Sequence, residues 1–157
     1  MKTLSLLALL LSLGISPAWA ESTVTATNGK LPDPTYIDLG QAGDSVGDQR
    51  IWQVMGKTPD DQVVIMTLIM TTTSQPEQGA DVETRLSEAV FSFGEGTGDS
   101  LLFAGTGTYP KAGSTVTANA TLERAILGGT GKYAGAKGTV LTTHLSDGTW
   151  QHVFRID

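Results

Sequence analysis

Gly128-Gly129-Thr130-Gly131-Lys132-Tyr133-Ala134-Gly135-Ala136-Lys137-Gly138 places five glycines in eleven residues. Two runs that read as strands flank it, residues 115–127 and 139–145. Glycine admits positive φ and close backbone approach, so this cluster predicts a tight crossover between strands. Two nucleotide-binding readings fail on spacing. A phosphate loop needs Ser or Thr after the lysine and Gly five residues before Gly131, and the chain has Tyr133 and Ile126. A dinucleotide fingerprint needs a helix after the glycines, and a Thr/Val-rich strand pattern follows instead.

Working outward, turn chemistry divides the chain at regular intervals. Residues 62–73 are the plainest strand: β-branched, too short to span a bilayer, and preceded by the turn Thr58-Pro59-Asp60-Asp61. Further strands are predicted over 35–39, 49–57, 82–94, 100–109, 115–127, 135–145 and 149–156. Ser146-Asp147-Gly148 joins the last two, and Asp-Gly is a hairpin signal. Eight strands at hairpin spacing, with no convincing helix, predict an all-β fold: an eight-stranded antiparallel up-and-down β-barrel. Such a barrel closes around side chains or one small ligand.

Glu123-Arg124-Ala125-Ile126-Leu127-Gly128-Gly129-Thr130-Gly131-Lys132-Tyr133, with Ala136-Lys137-Gly138 after it, resembles the signature of plant dirigent proteins. The Gly-Gly-Thr-Gly, aromatic, Gly pattern is also similar to that of allene oxide cyclases. The likeness covers sixteen residues, 123–138; elsewhere it extends to length, strand number and glycine rhythm. It implies the same eight-stranded barrel and a trimer, the assembly of both families. It further implies a lumen that steers cyclisation or stereoselective coupling of a hydrophobic small molecule; no metal or cofactor is expected. The dirigent motif carries an inward arginine before its last glycine. Lys137 stands there, with the charge but without the planar fork of arginine. Gly47-Asp48 resembles the Gly-Asp that both families carry between their first strands. The inward first-strand glutamate of allene oxide cyclases has no matching position.

Lys2, an apolar run from Leu4 to Ile15, Pro17 and Ala18-Trp19-Ala20 read as a secretory signal over residues 1–20. The run is too short for a membrane span, so a cleaved protein starting at Glu21, secreted or periplasmic and without membrane anchor, is expected. Cleavage leaves 137 residues and moves the net charge from −6 to −7. So acidic a chain carries no electrostatic footprint for nucleic acid. Without cysteine there is no disulfide, and stability must come from packing and hydrogen bonds. Residues 21–34, polar with Asn28-Gly29 and two prolines, read as a flexible N-terminal arm, and 35–157 as a single barrel domain.

The last hairpin permits a face assignment. A symmetric turn through Asp147-Gly148 pairs Leu145 with Trp150 and Thr143 with His152. One face then holds Lys137, Leu141, Thr143, Leu145, Trp150, His152, Phe154 and Ile156; the other holds Val140, Thr142, His144, Gln151, Val153 and Arg155. The first face is richer in large apolar groups and is assigned to the interior. Leu141, Thr143, Trp150 and Phe154 are then ligand-binding candidates. Lys137 and His152 are catalytic candidates: the lysine to stabilise negative charge on a carbonyl or phenolate oxygen, the imidazole to relay a proton. Outward Val140 and Val153 are offered to a homo-oligomer interface, trimer or dimer.

Asp48 supplies a carboxylate at the barrel mouth, with Asp44 one turn away as a ligand contact; an Asx-turn is the structural alternative. Glu88, if it shares the inward face with Leu86 and Val90, is a buried acid. Two histidines on opposite faces, with no Cys, make poor zinc chemistry, and no Gly-x-Ser-x-Gly occurs. The expectation is an exported barrel that binds a hydrophobic small molecule and steers its cyclisation or coupling by shape. The alternative is a non-catalytic carrier or an exported interaction or structural barrel. Convergent ionisable groups in the lumen favour the enzyme.

Overall fold

The computed structural model describes residues 21–74, 81–111, 113 and 115–157; the signal segment 1–20 lies outside them. Within these residues nine strands follow in order: β1 Ser22–Asn28, β2 Thr35–Ile37, β3 Gln49–Lys57, β4 Val63–Ser74, β5 Val82–Phe93, β6 Asp99–Pro110, β7 Thr121–Thr130, β8 Gly138–His144 and β9 Trp150–Ile156. They form one antiparallel sheet in the order β1-β9-β8-β7-β6-β5-β4-β3-β2. β1 also meets β3, at Thr27↔Lys57 and Asn28↔Gly56. That contact closes the expected eight-stranded antiparallel barrel. β2 adds three residues further along the same edge of β3.

The closing strand is not the one expected. Residues 35–39 supply only the short β2, while residues 22–28, assigned from sequence to a flexible arm, pair along their whole length with β9, from Ser22↔Ile156 to Asn28↔Trp150. Threonine is polar and strand-forming at once, which hides β1 within a hydrophilic segment.

Alternation sets the interior. On β4, Val64, Met66, Leu68, Met70 and Thr72 are buried, and on β5 Glu83, Arg85, Ser87, Ala89, Phe91 and Phe93. The register Val64↔Phe93 and Thr72↔Arg85 aligns these rows, so the barrel is apolar at one end and charged at the other. At the apolar end Phe91 stacks edgewise on Phe154 at 5.0 Å and sits 5.9 Å from Phe103; Phe93 lies 5.0 Å from Tyr133. Edge-to-face packing of this kind fills the lumen there.

The glycine stretch lies at the apolar end. β7 does not stop at Leu127 but runs on to Thr130, bulging where Leu102↔Gly128 is followed by Phe103↔Ile126. Leu127, left unpaired by the bulge, is 64% exposed. A 3₁₀ turn, Gly131–Tyr133, then starts the crossover. A Cβ on Gly129 would lie 2.5 Å from the Tyr133 carbonyl oxygen and 2.6 Å from that of Ser100, so only glycine fits. β7 begins at Thr121 rather than 115, because Asn119 takes a left-handed φ of 65° and turns the chain there.

Candidate functional site

The last hairpin carries three turn residues, not two. Leu145 N–H donates to the Thr149 carbonyl at 2.8 Å, and the pairs become His144↔Trp150, Thr142↔His152 and Val140↔Phe154. Every β8 side chain therefore changes face relative to the symmetric pairing, while β9 keeps its own. Trp150, His152 and Phe154 are buried inside as expected. Val140 and Thr142 join them, and Leu141 and Thr143 lie half-buried on the outer side.

A cavity sits between the apolar plug and the charged end. Met66, Leu68, Phe103 and Trp150 give it apolar walls, and Tyr109, Arg124, Thr142 and His152 present polar groups. Leu31 and Val116 close it from two loops. The centre of a water-sized sphere has about 20 Å³ to occupy there, room for roughly one water. A larger guest requires one of those loops to shift. Trp52 Nε1–H donates to the Pro32 carbonyl at 2.9 Å and ties down the first. His144 Nδ1–H donates to the Val116 carbonyl at 2.9 Å and ties down the second, its ring stacked 4.3 Å from Trp150. His144 thus belongs to the mouth of the cavity, not to the solvent face expected for it.

Arg124 is the least expected occupant. It shares parity on β7 with Leu122 and Ile126 and is buried with its stem beside Gly105. A Cβ on Gly105 would lie 2.9 Å from Arg124 Cγ, so that glycine makes the room. Arg124 Nη2 donates to the Tyr109 hydroxyl at 2.6 Å and more weakly to Ser87 Oγ at 3.4 Å. Tyr109 and Ser87 share a further bond of 2.9 Å, and the guanidinium carbon lies 5.3 Å from the centre of the Phe103 ring. Among the described residues, Arg124 Nε and Nη1 have no hydrogen-bond partner.

His152 is buried and fully engaged. Asn28 Nδ2 donates to the Gly29 carbonyl at 2.8 Å, which turns Asn28 Oδ1 toward the ring. Imidazole Nε2 lies 3.0 Å from that oxygen and must donate; Nδ1, 3.1 Å from Thr142 Oγ1, then accepts. Burial, and after it the Arg124 charge, hold the ring down at about 3, so it is neutral. A neutral ring with both nitrogens occupied is no proton relay near neutral pH.

At the charged end Glu83 is bonded by Arg85 Nε and lies 3.4 Å from Arg50 Nη2. Thr72 Oγ1 accepts from Arg50 Nη1 at 3.2 Å, and Arg85 Nη2 donates to the Gly113 carbonyl at 2.8 Å. Asp48 is fully buried beside this cluster, but its oxygens face the 39–45 loop. They accept from the Tyr36 hydroxyl at 2.6 Å and from the Ser45 and Leu39 amides at 2.7 and 2.9 Å. Burial pushes this carboxyl up; the Tyr36 hydroxyl, the two amides and Ser45 Oγ pull it down further, to about 2. The Tyr36 phenol is in turn raised to about 12, first by its bond to Asp48.

The remaining sequence candidates are not brought together. Lys137 is exposed between the 3₁₀ turn and β8, beside an open outer groove with Lys132 and Ile156, and does not share a face with His152. Glu88 is exposed because Phe91 and Phe93 fix the inward parity of β5, which places Glu83, Arg85 and Ser87 inside. Asp44 is on the rim, 3.8 Å from Arg50 Nη2. Phe154 packs in the apolar plug, and Trp150 alone of the expected ligand contacts lines the cavity.

No protein-family model matches the chain. No curated protein matches it. Among solved structures it is similar to a pyocyanin demethylase, with a TM-score of 0.62 over 87% of this chain and 99% of the other, at 19% sequence identity. At that identity the likeness shows the barrel fold.

Proposed function

We propose that this chain is an exported barrel that takes an apolar small molecule into its lumen and steers its cyclisation or coupling by shape, as resemblance to dirigent proteins and allene oxide cyclases implies. The observation that carries the reading is the lumen cavity, which a shift of the Leu31 or Val116 loop would enlarge beyond one water: it has apolar walls, with the Arg124 donors and the Tyr109 and Thr142 hydroxyls converging on it. Positioning and water exclusion are the contributions such a site offers, since no strong nucleophile lies among its described lining residues. Within it Arg124, not Lys137, is the cation available to developing negative charge. The similar barrel is named for acting on a small molecule, which agrees with lumen use.

A second reading, a non-catalytic carrier, is favoured by one observation: His152 is neutral and occupied, and so offers no acid or base. Leu122→Trp, which fills the cavity from β7, separates lumen use from binding at the outer face. The variant is expected to lose the ligand that co-purifies with wild type while keeping its fold. A ligand retained at full occupancy would count against the lumen. Turnover of that ligand by wild type separates enzyme from carrier.

A further inference from the structure

We infer that the lumen ligand carries an acidic oxygen, a carboxylate or phenolate, that docks on Arg124. This rests on lumen binding as proposed above and names the chemical class bound there. Arg124 is 5% exposed and lines the cavity, yet its Nε and Nη1 meet no acceptor among the described residues. A desolvated guanidinium donates up to five hydrogen bonds and is costly to leave unmatched. Its one short bond, to Tyr109, goes to a hydroxyl oxygen, not a carboxylate.

Charge points the same way. Among the described residues the ion pairs of buried arginines join Arg50 and Arg85 to Glu83, and Arg50 to Asp44; none reaches Arg124. Asp48 is occupied by Tyr36 and its own loop. Among the described residues, buried guanidiniums (Arg50, Arg85, Arg124) outnumber buried carboxylates (Glu83, Asp48), in a chain whose net charge is −6. Arg124, buried and met by no carboxylate among the described residues, favours an anion small enough to enter. The apolar body of that anion would lie against Met66, Leu68 and Trp150, once Leu31 or Val116 gives way.

4-Nitrobenzoate and 4-nitrobenzyl alcohol differ in charge and little in shape, and the ring of either quenches Trp150 in the cavity wall. Titrated into the whole mature protein at low salt, the carboxylate is expected to bind about tenfold more tightly than the alcohol. Arg124→Met is expected to erase that difference and leave the affinity for the alcohol in place; Lys137→Gln, on the outer groove, is expected to leave the preference intact. Equal binding of the two probes by wild type, the result if an ordered water already satisfies Arg124, overturns the acidic-oxygen inference and leaves lumen binding standing. Binding of neither overturns both. A preference lost in Lys137→Gln and kept in Arg124→Met puts the anion on the outer groove and also overturns it. Should Arg124→Met unfold by circular dichroism, Arg124→Lys is the second variant. It is expected to fold and to retain a reduced preference; an unreduced one contradicts the assignment.

Discussion

His152 binds no proton in the folded chain until about pH 3, whereas an unfolded histidine takes one up near 6.5. Its contribution is therefore complete above pH 6.5 and is lost as the pH falls toward 3, at about 1.4 kcal/mol per unit. Urea unfolding of wild type and His152→Gln between pH 7 and 4 is expected to give a shallower slope for the variant; parallel slopes would mean the ring is already charged in the fold. Asp48 acts lower. Its folded value of about 2 lies below the ordinary 3.8, so its contribution is complete above 3.8 and lost as the pH falls through 2. Asp48→Ala orphans the Ser45 and Leu39 amides and is expected to cost about 1–3 kcal/mol. It should also let Tyr36 titrate nearer 10, so an ultraviolet pH titration should find one fewer high-titrating tyrosine than in wild type; an unchanged profile would contradict the Tyr36–Asp48 bond.

The glycine crossover divides into positions that need glycine and positions that tolerate a side chain. Gly138 has a φ of 125°, and a Cβ there would run into the Arg155 carbonyl; Gly135, at 82°, has open space around it. Gly138→Ala is expected to lose clearly more stability than Gly135→Ala, whose cost is about 1–2 kcal/mol from φ alone. Thermal melts ranking them in reverse would contradict the register of β8 on β9. The same stretch also marks what the sequence makes legible. Glycine density, β-branched runs and turn dipeptides were enough for a closed barrel, because each is a local consequence of strand pairing. The site was not legible, because it depends on parity across a turn. One extra residue at Ser146-Asp147-Gly148 exchanges Leu141 and Thr143 for Val140 and Thr142. Yet the missed residues left traces: Arg124 alternates with Leu122 and Ile126, Arg85 with Ser87 and Phe91, and Gly105 opens a strand where nothing else requires it.

For the whole molecule, closure depends on β1, whose seven pairs with β9 and two with β3 join the two sides of the sheet. A chain starting after Asn28 is expected to aggregate. Export and assembly stand as proposals beside the fold. N-terminal sequencing of exported protein is expected to begin at Glu21, and a Met1 start would contradict signal cleavage. Val140 is fully buried and cannot serve an interface, but Met55, Val63, Ile65 and Val90 are exposed on adjoining outer strands, with Met55 opposite Ile65. The proposed homo-oligomer would bury that face, so Ile65→Lys is expected to shift the mass found by light scattering from a multiple to a single chain; a single-chain mass for wild type would contradict assembly. The central claim is that the lumen holds a small molecule, and a native mass spectrum of protein purified from its own host tests it most directly. The expected result is an added small mass on wild type that is absent from Leu122→Trp. The bare chain mass in both, or the same added mass in both, would contradict it.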